Sequence, residues 1–393
     1  MSRPLEDVVV IDLTRLFCAS LSAAFLADFG ARVVRVERLA PGVREADGWN
    51  CEADLIHRNK ESIALDLGGD QGVSVLRELV AKADVVVTDW RVIELEALGI
   101  DYAGACALRP DIVFGRLSGF GPVGPDSTLP AIDELAAART GMMPILPQPG
   151  QPPVYTGAGA MHSSAMLAFG VVTALLHRID SGEGQAVDVS LFGANMYGAA
   201  LDIQAFLAIG KGDRLLNPIS RLDVSNPMSG ALYPSADGRW VTLTMPDTDR
   251  WWPMFSAAVG IAADDPRFDT HDKRTETNRI ALIHALEAAF ATRPGAHWRQ
   301  VFMEKQMSAD VIERFDYPAS DPQALANRYI LELEHPSFGA VKSLGFPIFL
   351  SEGSARLDAL APCIGQHSSQ ILRDLLGYSE DAVHACRRAG VVA

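Results

Sequence analysis

VVVIDLTRLFCASLSAAFLADFGARVVRVER, residues 8–38, decides how the chain folds. VVVIDL (8–13) is a short β-branched run, LSAAFLADFG (21–30) has helical spacing closed by Gly30, and RVVRVER (32–38) is strand-like again. Together they make a β-α-β unit. The rhythm continues outward through ESIALDL (61–67), the helical GVSVLRELVAKA (72–83), ADVVVTDW (83–90) and DIVFGRLSGFG (111–121). Repeated alternation of this kind implies a doubly wound, Rossmann-like α/β domain whose parallel sheet is covered by helices.

Further along, TGAGAMHSSAM (156–166) combines a tight turn of small residues with the start of a long apolar helix, MLAFGVVTALLHRID (166–180). The turn SGEG (181–184), the strand QAVDVSLF (185–192) and another helix to about residue 210 complete the expected large domain, 1–210. GALYPSADGRWVTLTM (230–245) reads as a hairpin turning at Ala236, Asp237 and Gly238, and places a smaller α+β domain at 211–325. Residues 326–393, with VKSLGFPIFL (341–350) and a helical end, are expected to return to the large domain. The tryptophans of the small domain, Trp240, Trp251, Trp252 and Trp298, fit core packing better than a substrate wall.

Composition narrows the function. A chain of 393 residues that is 48% hydrophobic can bury a large core. The 34 Lys plus Arg against 49 Asp plus Glu give a net charge of -15, which would repel nucleic acid and anionic membrane surfaces. Asp12, Arg15 and Asp28 interrupt the apolar N-terminal stretch, so neither a signal segment nor a membrane span fits there. Five scattered cysteines without a CxxC pair argue against a disulfide framework or structural zinc, and for the reducing cytoplasm.

Candidate chemistry is sparse. GFGPVG (119–124) satisfies GxGxxG, but Pro122 and Pro125 interrupt it and no helix follows at once, so Gly119 and Gly121 suit a crevice-lining loop better than a dinucleotide fingerprint. Arg38, Arg58, Lys60 and Arg91 fall near expected strand ends, where cations can hold phosphate in an open α/β sheet. Asp133 is read either as a helix-starting carboxylate favoured by the dipole or as a general acid or base. His162 and His177, on one helix, read as surface or packing residues. HExxH, GxSxG and P-loop patterns are missing from the sequence.

These motifs together resemble the class III CoA-transferases, the CaiB/BaiF family, over nearly the whole chain. The likeness rests on residues 8–38, RNKESIALDL (58–67), ADVVVTDW (83–90), RLSGFGPVGP (116–125) and ALLHRIDSGEGQAVDVSLF (174–192). It implies a large α/β domain with a smaller one, an interlocked homodimer, and transfer of CoA from an acyl-CoA donor to a carboxylic acid with no permanently bound cofactor or metal. In the family an aspartate attacks the thioester, and an aspartyl-CoA thioester follows. Counting back from Gly182, that aspartate falls on Ala160. The reading preferred here is a transferase inactivated by a change of aspartate to alanine. Two alternatives stay open: a nucleophile-free subunit paired with an active homologue in a hetero-oligomer, and an acyl-CoA racemase or isomerase. The last is weakened because Ile132 stands where the racemases have histidine. The resemblance also implies CoA contacts at Arg38, Arg58, Asn59, Lys60, Arg91, Gly119 and Gly121, and an acidic site rim at Asp133. An arginine expected near Ala97 or Leu98 is missing. LDVSNPMSGALYP (222–234) replaces the glycine run of the formyl-transferase type, which points to an acid other than formate or oxalate.

Overall fold

The computed structural model describes residues 2–39, 50–210 and 216–393. The chain divides into two compact units, one holding residues up to Met143 with Tyr155–Ala208 and Pro322–Ala393, the other Pro144–Val154 with Ile209–Asp321. The expected start of the small domain at residue 211 lies outside the described residues.

In the first unit, six strands form one sheet: β1 (Val9–Leu13), β2 (Arg32–Arg38), β3 (Lys60–Leu65), β4 (Val85–Thr88), β5 (Val113–Ser118) and β6 (Ala186–Ser190). Their order is β3-β2-β1-β4-β5-β6, and every neighbouring pair is parallel. Between them run α1 (Phe17–Asp28), α2 (Cys51–His57), α3 (Asp70–Lys82), α4 (Val92–Leu98), α5 (Tyr102–Leu108), α6 (Asp133–Ala138) and α7 (Ala158–Ser181). The helices α8 (Leu191–Gly198) and α9 (Ala200–Ile209) follow β6. A two-residue side-chain period divides the strand residues between two cores. Val10, Val33, Val87 and Val113 pack with α1 and α7, whereas Ile11, Val34, Ile63 and Val86 pack with α3 and the C-terminal helices Ser368–Asp374 and Glu380–Arg388.

Helix α7 begins eight residues before the apolar run that signals it, because Gly157, with φ 69°, turns the chain directly into the helix. By length and composition α7 would cross a membrane, but its Leu167, Val171, Ala174 and Leu175 are packed into a core. It lies close on β5: a Cβ placed on Gly115 would sit 2.9 Å from Val171.

The chain returning after residue 322 is fastened to the β3 edge. Arg58 forks onto the buried carboxylate of Asp28, with Nη2–Oδ2 at 2.7 Å, and donates to the carbonyl of Leu344. Asn59 Oδ1 accepts the amides of Asp358 and Ala359 at 2.7 and 3.1 Å. The segment VKSLGFPIFL supplies one strand of a separate antiparallel hairpin, β10 (Ile330–His335) with β11 (Gly339–Leu344).

A buried carboxylate, Asp12, and a partly buried one, Asp89, hold the middle of the sheet. Lys60 Nζ, without solvent exposure, donates to Asp12 Oδ2 at 2.7 Å and to the carbonyl and hydroxyl of Ser20, joining β3, β1 and α1. The other Asp12 oxygen accepts Thr14 N and Oγ1 at 3.0 and 2.6 Å. Beside them His57 bonds Ser20 Oγ, and burial together with the neighbouring Lys60 and Arg35 charges lowers its pKa to about 2, so it is neutral. Asp89, just past β4, accepts the amides of Arg15 (2.9 Å) and Leu16 (2.6 Å) where β1 turns into α1. Burial raises its pKa from the ordinary 3.8 to about 6 against the pull of those two amides.

The second unit has a three-stranded antiparallel sheet of β7 (Ser229–Pro234), β8 (Trp240–Thr244) and β9 (Ala309–Ile312). Its core gathers Tyr233, Phe255, Phe290 and Phe302 with Trp252 and Trp298. Both indoles find acceptors, Trp298 Nε1 on Phe290 O at 2.9 Å and Trp252 Nε1 on Ala263 O at 3.0 Å, so these two tryptophans are packing residues. Trp240 is half exposed at 39%.

Replacing Asp12 with alanine leaves a buried ammonium unpaired, and should cost about 3–5 kcal/mol of stability in urea unfolding; a loss under 1 kcal/mol would contradict this role. For Asp89 the folded pKa lies above the ordinary one, so its contribution is most favourable below pH 3.8 and is lost as pH rises through about 6. Relative to Asp89→Asn, the parent chain should lose roughly 1–3 kcal/mol across that window. Parallel stability curves would show that Asp89 titrates normally.

Candidate functional site

Strand order reverses at β1, whose neighbours are β2 and β4. The loops leaving the carboxyl ends of β1 and β4 diverge there, opening the crevice in which sheets of this kind bind ligands. Trp90 stands in it with only 4% exposure. The guanidinium of Arg15, from the β1 loop, lies 4.2 Å from the Trp90 ring centroid, and that of Arg38, the last residue of β2, lies at 5.3 Å. Arg15 Nη1 is 3.0 Å from Glu94 Oε1, while Arg91 N and Nε each donate to Glu94 Oε2 at 3.2 Å. Slight burial works against the ionised Glu94 carboxylate, but the bonds from Arg15 and Arg91 outweigh it and hold its pKa below the usual range. Two cations, Arg15 and Arg91, therefore share one carboxylate at the mouth of the sheet, and they remain accessible: Arg15 is 45% and Arg91 70% exposed.

Sequence reasoning grouped Arg58 and Lys60 with Arg38 and Arg91 because all four fall near expected strand ends. The register corrects that grouping. Lys60 is the first residue of β3 and lies level with Val33 near the start of β2, so Lys60 and Arg58 belong to the amino ends of the strands. Lys60 is spent on Asp12, Arg58 on Asp28, and Asn59 on the returning C-terminal segment. Arg58 and Lys60 are buried, and the side chains of all three are engaged within the protein, which makes them part of what holds the fold.

A second cluster surrounds the first turn of α7. The carbonyl of Ala160 accepts the hydroxyls of Ser163 (2.9 Å) and Ser164 (2.8 Å), and the Ala160 methyl packs against the α1/α7 core. Gly159 is buried, and a Cβ there would fall 2.0 Å from Asn195 Nδ2, so the Asn195 amide lies directly on this turn. Asn195 in turn donates to Asp133 Oδ1 at 2.7 Å and to the Leu191 carbonyl at 2.9 Å. The Tyr155 hydroxyl donates to Asp133 Oδ2 at 2.6 Å. Burial, then this bond, raises the tyrosine pKa, so Tyr155 stays a proton donor. Asp133 thus starts α6 and at the same time is held by two donors one side chain away from the α7 turn.

The glycine loop closes this cluster from β5. Gly119 O accepts Phe192 N at 3.0 Å, Ser118 Oγ accepts Gly121 N at 3.2 Å, and Gly121 adopts φ 105°. The loop runs on without a helix until Asp133, so no phosphate-binding helix follows the GxGxxG pattern. Helix α1 links the two clusters. Leu16 N is held by Asp89, and two residues later the buried Cys18 packs in the core shared with α7; burial raises its thiol pKa to about 11. His162 is exposed with its ring against Gly198, and His177 bonds Ser181 Oγ at 3.0 Å. Both histidines sit outside the two clusters' bonding.

Arg15, Asp89, Trp90, Tyr155 and Asn195 escaped sequence reasoning. The first three lie just past strand ends, a position that signals a crevice. Asn195 carries no local signal, because it meets Asp133 from 62 residues away.

Residues 5–368 match CoA-transferase family III. The cinnamoyl-CoA:phenyllactate CoA-transferase of Clostridium sporogenes is 29% identical, with 96% of this chain and 94% of that protein covered. The succinyl-CoA–D-citramalate CoA-transferase of Chloroflexus aurantiacus is 31% identical, with 96% of both covered. A crystal structure of a CaiB/BaiF family protein from Brucella suis superposes with a TM-score of 0.81 at 25% identity, covering 95% of this chain and 100% of that one. With the family match spanning most of its length and the fold agreeing throughout, this chain belongs to CoA-transferase family III.

Proposed function

We propose that this protein is built to bind an acyl-CoA and to pass its CoA to a carboxylic acid, with the covalent step disabled by the alanine at position 160. The observation that carries this reading is local. Ala160 occupies the first turn of α7, where amide groups lack intrahelical partners, beside an Asn195–Asp133–Tyr155 framework that is fully bonded.

An aspartate at 160 would work as follows. Its carboxylate attacks the thioester carbonyl, the C–S bond breaks, and CoA thiolate leaves a mixed anhydride. The thiolate then attacks the aspartyl carbonyl and expels the first acid as its carboxylate, giving an aspartyl-CoA thioester. The second acid attacks this thioester, and the released thiolate takes the new acyl group, restoring the aspartate. Amides of the α7 turn would stabilise the oxyanion of each addition. A methyl group has no electron pair to begin the sequence. Asp133, held by Tyr155 and Asn195, lines the rim. Arg38 and Arg91 meet CoA phosphate, and Gly119 and Gly121 let the loop backbone approach the ligand. No metal or nicotinamide enters any step.

Both relatives described above are named for acids with a hydroxyl next to the carboxyl carbon, phenyllactate and D-citramalate. We extend that class, 2-hydroxy acids, to this chain. A reading as the silent partner in a hetero-oligomer is favoured by the same observation, an intact framework around an absent nucleophile. Apolar faces on α7 (Phe169, Leu176, Ile179) and α9 (Leu201, Leu207) support subunit association, with the interlocked homodimer as the first expectation and the cytoplasm as its place.

Ala160→Asp should confer exchange between an acyl-CoA and a panel of 2-hydroxy acids, followed by mass spectrometry, at a rate at least 100-fold above the parent chain. If both versions are silent but an added homologous chain brings activity, the hetero-oligomer reading replaces this one. Sedimentation equilibrium should show a dimer at micromolar concentration; a monomer would contradict the association.

A further inference from the structure

Among the described residues, the Trp90 cluster contains one cation that the family resemblance did not assign. Arg15 comes from the β1 loop, yet its guanidinium stacks on the same indole as Arg38 and shares Glu94 with Arg91. Its backbone amide is fixed by Asp89, so the side chain leaves a rigid base. Among the described residues the buried Trp90 indole N–H has no hydrogen-bond partner, an orphan donor beside the cations. Orphan buried donors are uncommon and point to an acceptor supplied by something else. Three guanidinium groups, two of them sharing the partly buried Glu94, suit a group carrying several negative oxygens, and guanidinium is the side chain best shaped for phosphate.

We propose that Arg15 is a third phosphate-contacting residue of the CoA subsite, standing in for the arginine that is missing near Ala97 and Leu98, and that Glu94 holds it in place until the phosphate arrives. This rests on the CoA reading above. The 3′-phosphate and the pyrophosphate of CoA present the same chemistry to a guanidinium, and the test separates them. Glu94 competes with the ligand for Arg15 and Arg91, so removing its charge should strengthen binding, whereas removing Arg15 should weaken it.

Calorimetric titrations of CoA and 3′-dephospho-CoA into the full chain, Arg15→Ala, Arg15→Lys, Glu94→Gln and Arg38→Ala decide the matter, with thermal melting to confirm folding. Arg15→Ala should weaken CoA binding about 10- to 100-fold, Arg15→Lys should recover part of it, and Glu94→Gln should tighten it about 2- to 5-fold. If the Arg15→Ala loss vanishes with 3′-dephospho-CoA, Arg15 meets the 3′-phosphate; if the loss persists, it meets the pyrophosphate. Unchanged CoA binding by Arg15→Ala, with Arg38→Ala weakened, overturns the role of Arg15 and leaves the CoA reading standing. Weaker binding by Glu94→Gln overturns the holding role. No binding of CoA by the parent chain overturns both readings together.

Discussion

Lys60 has no exposure to solvent, and its ammonium group reaches Asp12 at 2.7 Å across the sheet. A buried charge of this kind is tolerable only when paired and fully hydrogen-bonded, and the way it is satisfied sets what lies above it. Ser20 supplies two further acceptors from α1, and the second Asp12 oxygen fixes Thr14. Thr14 leads into Arg15 and Leu16, whose amides Asp89 takes from the end of β4. A chain of bonds thus runs from the β3 start, through β1, to the crevice at the switch point. It fixes the loop that carries Arg15 and the tryptophan on which Arg15 and Arg38 stack.

The α1 turn passes this order on to α7. Asp89 occupies amides at the start of α1, the place where an α/β fold of this order offers an anion site. On the reading proposed above, ligand phosphate is left to the arginine side chains. Two residues later, Cys18 packs in the core shared with α7, against which Ala160 also lies. From the other side, Asn195 presses onto Gly159 and holds Asp133. The neighbours of position 160 are thus built and bonded, while position 160 itself carries only a methyl group.

Much of this architecture was legible in the sequence because it depends on local patterns. The β-branched runs gave β2 at its observed bounds, and the glycine after LSAAFLAD marked the end of α1. The start of α7 was less legible, since Ala158–Ser164 is small and polar and its helical state comes from packing on α1 and Asn195. Strand polarity was the main source of error in the site. Arg58 and Lys60 look like crevice cations in a linear reading, and only the parallel register shows them at the opposite ends of the strands. Asn195 and the shared role of Glu94 are tertiary facts with no motif.

Intact-protein mass spectrometry with peptide mapping, after mixing an acyl-CoA with the parent chain and with Ala160→Asp, tests the central claim most directly. The account predicts no covalent adduct on the parent chain, and on the substituted chain an acyl or CoA adduct that maps to residue 160 and disappears with hydroxylamine. A stable adduct on the parent chain, or one mapping to Asp133, would contradict it by showing that the nucleophile lies elsewhere.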